Sequence, residues 1–117
     1  MMRAWRVTVI LMLAGPPANA ATDAVSVLAS PPLSPAPGLV RLVVRIERNA
    51  SNRNLIVEVN SLALFRSSLI ALEGESAPTA YLLEYDSLPA GLYTVTVTLH
   101  RDDADTTTAK DMFTVVP

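Results

Sequence analysis

The sequence predicts an all-β protein: a single antiparallel β-sandwich of about seven strands that follows a cleaved signal peptide. Two observations predict it. Apolar and polar residues alternate with a period of two around residues 40–46, 55–59, 81–85 and 93–99, the pattern of strands with one buried face. Pro, Gly, Asn and Asp punctuate the chain between these stretches and mark turns too close together for helices. Strands of this length and spacing pack as a two-sheet sandwich.

Taken in order, the first element is an export segment. Arg3 and Arg6 make a positive start, and Val7–Ala14 is apolar apart from Thr8. Gly15, Pro16 and Pro17 then stop any helix, and Ala18-Asn19-Ala20 places small residues where a signal peptidase reads. Residues 1–20 are therefore expected to be a signal peptide cut after Ala20. As a membrane anchor the apolar run is too short, since eight helical residues cover only about 12 Å. There is no Arg-Arg pair for the twin-arginine route and no cysteine to carry a lipid. The expected product is exported, periplasmic or extracellular, and not inserted in a membrane.

Cleavage leaves 97 residues, one domain's worth. Without Arg3 and Arg6, seven basic residues face eleven acidic ones, a net charge of −4. An acidic surface argues against nucleic acid and against anionic membranes. The absence of cysteine means that stability outside the cytoplasm must come from apolar burial without disulfides. Trp5, the only tryptophan, leaves with the signal.

Residues 21–38 form the second division, a first edge strand and a Pro-rich segment. Val25, Val27 and Ala29 alternate as an edge strand would. Four prolines within residues 29–38 impose extended backbone and forbid helix. A PxxP ligand is one reading of Pro32–Pro35; a stiff connection or a proline-broken edge strand is the preferred one.

Residues 39–117 form the sandwich. Val40, Leu42, Val44 and Ile46 share one parity, against Arg41, Arg45 and Glu47 with Val43 on the other. Asn49–Asn52 is a turn, and Leu55, Val57 and Val59 define a second strand, expected to be the hairpin partner of the first. Residues 61–73 read two ways. Leu62, Phe65, Leu69 and Leu72 fit helical spacing, with Ser61 and Gly74 as caps. The preferred alternative is a crossing loop around Phe65–Ser68 and a short strand at Leu69–Glu73, consistent with the strand period on either side. Tyr81, Leu83 and Tyr85 then share a face opposite Leu82, Glu84 and Asp86. Ser87–Gly91 is a turn. Tyr93, Val95, Val97 and Leu99 alternate with Thr94, Thr96 and Thr98 in the most regular strand of the chain. His100–Thr107 reads as a polar loop, and Lys110–Val116 as the last strand, with Phe113 and Val115 inward.

The run Leu88-Pro89-Ala90-Gly91-Leu92-Tyr93-Thr94-Val95-Thr96-Val97 resembles the E–F corner and strand F of immunoglobulin-like and fibronectin type III-like domains in bacterial exported proteins. Arg66-Ser67-Ser68 and Leu72-Glu73-Gly74 add to the likeness, which covers roughly residues 39–117. It implies that Tyr93 opens strand F and bonds through its hydroxyl to backbone upstream. Leu88, Pro89, Gly91 and Tyr93 are thus the expected structural corner. Antibody-type domains carry paired cysteines and a core tryptophan; the processed chain has neither, so only the architecture carries over. A corner of this kind specifies fold, not function.

No constellation points to catalysis. His100-Arg101-Asp102 spells a kinase triplet without the rest of a kinase. Ser67 or Ser68 with His100 and Asp102 lacks a nucleophile elbow. Asp102, Asp103 and Asp105, with Asp111 near, fail the calcium-loop pattern: counting from Asp103, Thr108 and Thr114 stand where glycine and glutamate belong. One histidine and no cysteine make a poor transition-metal set. Glu84 and Asp86 read as a solvated face rather than a glycosidase pair. Tyr81 and Tyr85 read as buried rather than as a sugar platform. Asn49-Ala50-Ser51 is a sequon that matters only in a eukaryotic secretory pathway. No catalytic, cofactor or metal residues are expected. The expected function is a non-catalytic extracytoplasmic binding or accessory module for a protein or cell-envelope partner. The alternative is a structural or assembly subunit that uses edge-strand β-augmentation.

Overall fold

A computed structural model describes residues 24–102 and 106–117; the expected signal segment and Asp103 and Asp105 lie outside them. Among the described residues there are eight strands: β1 (Val25–Ser30), β2 (Leu33–Pro35), β3 (Gly38–Ile46), β4 (Asn52–Asn60), β5 (Phe65–Ala71), β6 (Ala80–Leu88), β7 (Gly91–Arg101) and β8 (Thr106–Val116). A single 3-10 turn at Gly74–Ser76 interrupts them. One sheet has the order β1-β3-β6 and the other β2-β8-β7-β4-β5.

The alternating parities become the core. Val40, Leu42 and Val44 of β3 are buried in one sheet, and Leu55, Val57 and Val59 of β4 with Tyr93, Val95, Val97 and Leu99 of β7 in the other. Phe113 and Val115 of β8 complete it. Each such Val or Leu contributes about 1.5–3 kcal/mol of transfer free energy, and in a cysteine-free chain this burial is the principal source of stability.

The strands differ from the sequence expectation in four places. β3 and β4 are not a hairpin: β3 pairs with β1 and β6, whereas β4 pairs with β5 and β7. The turn is real, with Asn49 Oδ1 accepting from the Ser51 amide at 2.8 Å, but it carries the chain from one sheet to the other. Each strand has one apolar face, and crossing over turns those faces toward each other. The segment around Phe65–Ser68 is strand rather than loop, and pairs with Asn60, Val59, Glu58 and Val57 of β4. His100 and Thr106–Thr107 are ladder residues, with His100 opposite Thr106 on the outer face and Thr107 opposite buried Leu99 on the inner one; β-branched Thr is at home in a strand on either face. Finally, β2 pairs with β8 in parallel. β1 and β2 are separated only by Pro31-Pro32, so the chain changes sheet and β2 meets a strand running the same way.

The sheets approach closely at Gly38. A Cβ there would lie 2.6 Å from Val115 Cγ2 and 2.9 Å from Val115 Cγ1, and Val115 is itself buried. Gly38→Ala is expected to destabilise the fold by about 1–3 kcal/mol, the usual range for overpacking. A urea midpoint equal to that of the parent protein would show that β3 and β8 can part at no cost.

Candidate functional site

The corner residues lie where β6 of the smaller sheet passes to β7 of the larger. Leu88 is buried, and Ser87 takes a positive φ of 57° just before it. The Tyr93 ring is fully buried and stacks on Phe113 with centroids 4.8 Å apart. Its hydroxyl donates to the Pro89 carbonyl at 2.6 Å. Gly91 pairs with Val115 of β8. This is a structural clasp, in which the buried tyrosine hydroxyl is satisfied by the backbone of the turn before it.

The residues that could have formed a serine triad are not brought together. The register aligns His100 with Asn54 and Ala71, two strands away, whereas Ser67 lies four residues further along β5. That separates them by about 10 Å across the sheet and about 13 Å along it. Ser68 has the opposite parity, and its Oγ lies 2.8 Å from the Tyr85 hydroxyl, across the sandwich. Asp102 accepts from Arg53 Nη2 at 2.7 Å, and Asp111 accepts from the Ala29 amide at 2.7 Å and the Met112 amide at 2.8 Å. Among the described residues no three acidic, His or Cys side chains gather to hold a metal. Glu84 pairs with Arg41 Nε at 2.6 Å on the solvent face. Tyr85 is buried, and burial raises the phenol of half-buried Tyr81 above its ordinary value.

What distinguishes one side of the molecule is its unprotected sheet edges. Among the described residues the sheet orders leave four edge strands: β1, β6, β2 and β5. The Ala29–Asp111 bond places β1 against β8, and the Ser68–Tyr85 bond places β6 against β5. On the first side both edges are blunted. β2 is three residues long and lies among Pro31, Pro32, Pro35 and Pro37, and the Ala29 amide of β1 is occupied by Asp111. Prolines and covered amides are the usual protection of an edge. On the second side, β5 and β6 contain neither Pro nor Gly.

β5 is the less protected of the two. It carries one charge, Arg66, whereas β6 carries Glu84 and Asp86. On its outer face Phe65 is 58% exposed and Leu69 is 68% exposed, with Leu62 fully exposed just before the strand. Leu82 of β6, 65% exposed, belongs instead to the solvent face of the other sheet, with Glu84. Between the two edges Ile70, Tyr81 and Leu83 only partly reach the core, so the sandwich interior opens toward this side. Sequence reasoning missed Phe65 and Leu69 as surface residues. Both parities of Phe65–Ala71 carry apolar side chains, so alternation could not say which faced inward.

No protein-family model matches the sequence, and neither does any curated protein. Solved structures are similar in fold. A superoxide reductase (neelaredoxin) from Ignicoccus hospitalis superposes with a TM-score of 0.61 at 12% identity, over 78% of this chain and 79% of that one. The PmoD soluble domain from Methylocystis sp. gives 0.55 at 19% identity, over 80% and 92%. A CARDB domain from Pyrococcus furiosus, solved in complex with di-metal ions, gives 0.51 at 13% identity, over 79% and 90%. Identities this low speak for architecture alone: the chain is an all-β, two-sheet sandwich with structural neighbours of the immunoglobulin-like type.

Proposed function

We propose that this chain is an exported, non-catalytic binding module of the immunoglobulin-like type that takes up an extended strand of its partner along β5. The observation that carries this reading is the unblocked edge of β5, with Phe65 and Leu69 exposed beside it. A strand added there gains backbone hydrogen bonds from the edge and side-chain contacts from the apolar row, as in β-augmentation generally. It would also cover the half-buried Ile70, Tyr81 and Leu83. The distance between Ser67 and His100 supports a role without catalysis.

Immobilised protein spanning residues 21–117 tests the reading. Exposed to the native extracytoplasmic fraction, it should retain a partner that Leu69→Lys releases. Retention of the same partner by both proteins would move the site elsewhere. Export is tested separately. N-terminal sequencing of the processed protein should begin at Ala21, and its fluorescence should lack a tryptophan component because Trp5 is gone. A product beginning at Met1 would end the export reading.

A further inference from the structure

We propose that the strand taken up by β5 is β5 of a second copy of this chain, paired antiparallel about a two-fold axis at Ser68, so that two five-stranded sheets become one of ten. This rests on reading β5 as the docking edge, and adds the identity of the occupant.

Self-complementarity favours a second copy. Antiparallel pairing about Ser68, the middle residue of Phe65–Ala71, sets Phe65 against the second copy's Ala71 and Leu69 against its Ser67. Large meets small at every outer position. On the inner face Arg66 meets the second copy's Ile70, along which its aliphatic stem can lie. No charge faces a like charge, which is what cross-strand pairs require. The same operation on β6 fails. Its middle residue is Glu84, so two copies paired there would oppose carboxylate to carboxylate. An isologous contact of this kind closes on itself and yields a dimer rather than a fibre.

Seven paired residues a side make a small interface, so a dissociation constant between roughly 10 µM and 1 mM is expected. Sedimentation equilibrium of the 21–117 protein should show a monomer–dimer equilibrium in this range. Leu69→Lys should weaken it at least tenfold, because the two introduced ammonium groups would lie diagonally about 7–8 Å apart. The exposure of Leu69 lets this variant fold, which circular dichroism would verify.

Register is tested by single cysteines, since the chain has none of its own. Ser68 faces its own copy across the axis at about 4.5–5.5 Å between Cα atoms, within disulfide reach. Ser68→Cys should therefore form a covalent dimer under mild oxidation. Ser67 faces Leu69, and its own copy lies on the diagonal, so Ser67→Cys should crosslink far less. Equal crosslinking of the two variants would overturn this pairing.

A protein that stays monomeric to about 1 mM would also overturn it. If such a monomer still lost its retained partner on Leu69→Lys, β5 would be the docking edge for a different chain. If it did not, strand uptake at β5 would fall together with the dimer.

Discussion

Tyr93→Ala is expected to destabilise the domain by about 3–5 kcal/mol, the range for a truncated core aromatic. Against a total stability of about 5–15 kcal/mol, such a loss leaves a substantial unfolded population. Three contributions are lost together. The ring is fully buried at the crossing from β6 to β7, it stacks on Phe113 with an interplanar angle of 2°, and its hydroxyl holds the Pro89 carbonyl. Tyr93→Phe separates the last from the others. It keeps the ring and removes one hydrogen bond, for a loss of about 0.5–1.5 kcal/mol, larger if the Pro89 carbonyl finds no water. Thr94 lies on the outer face of the same strand, and Thr94→Ala should change stability by less than about 0.5 kcal/mol beyond strand propensity. Urea midpoints of the three variants order them. If Thr94→Ala proved the most damaging, the faces of β7 would be inverted.

Asn52→Ala is expected to cost about 2–4 kcal/mol, from the loss of one neutral and one charge-assisted hydrogen bond in a dry site. Asn52 is the only fully buried polar side chain among the described residues. Its Nδ2 donates to the Glu47 carbonyl at 2.9 Å, and its Oδ1 accepts from Arg101 Nε at 2.9 Å. It therefore ties the end of β3 to the start of β4 and the end of β7. The Arg101 side chain is only 11% exposed and keeps one further partner, the Glu47 carboxylate at 3.2 Å. Removing the amide leaves a largely buried guanidinium short of an acceptor, and that accounts for most of the loss. Asn52→Leu fills the volume without restoring either bond, and should be no more stable than Asn52→Ala. Thermal unfolding of both decides between polarity and packing. A leucine variant as stable as the parent would show that the site needs only to be filled.

The two predictions differ in how far the sequence foresaw them. Tyr93 was legible because a tyrosine two residues after a glycine, at the head of a regular alternation, is a local pattern. Asn52 was read only as part of a turn. Its burial depends on Arg101, 49 positions away in the chain, and no local pattern carries that distance. The candidate site behaves like Asn52. Ile70 and Leu69 are adjacent in the chain, yet one is partly buried and the other exposed, because only one side of β5 has a sheet opposite.

From its residues alone this chain was determined to be all-β, with most of its strands, most inward faces and the Tyr93 corner, because a period of two and turn chemistry act over a few residues. Tertiary structure alone decided that β3 and β4 lie in different sheets, that β2 runs parallel to β8, and that β5 is an edge strand among the described residues. Sheet membership is settled by which apolar faces meet across the core and which backbone groups still lack a partner. Those are properties of the assembled sandwich, shared among residues remote in sequence, and no single segment contains them.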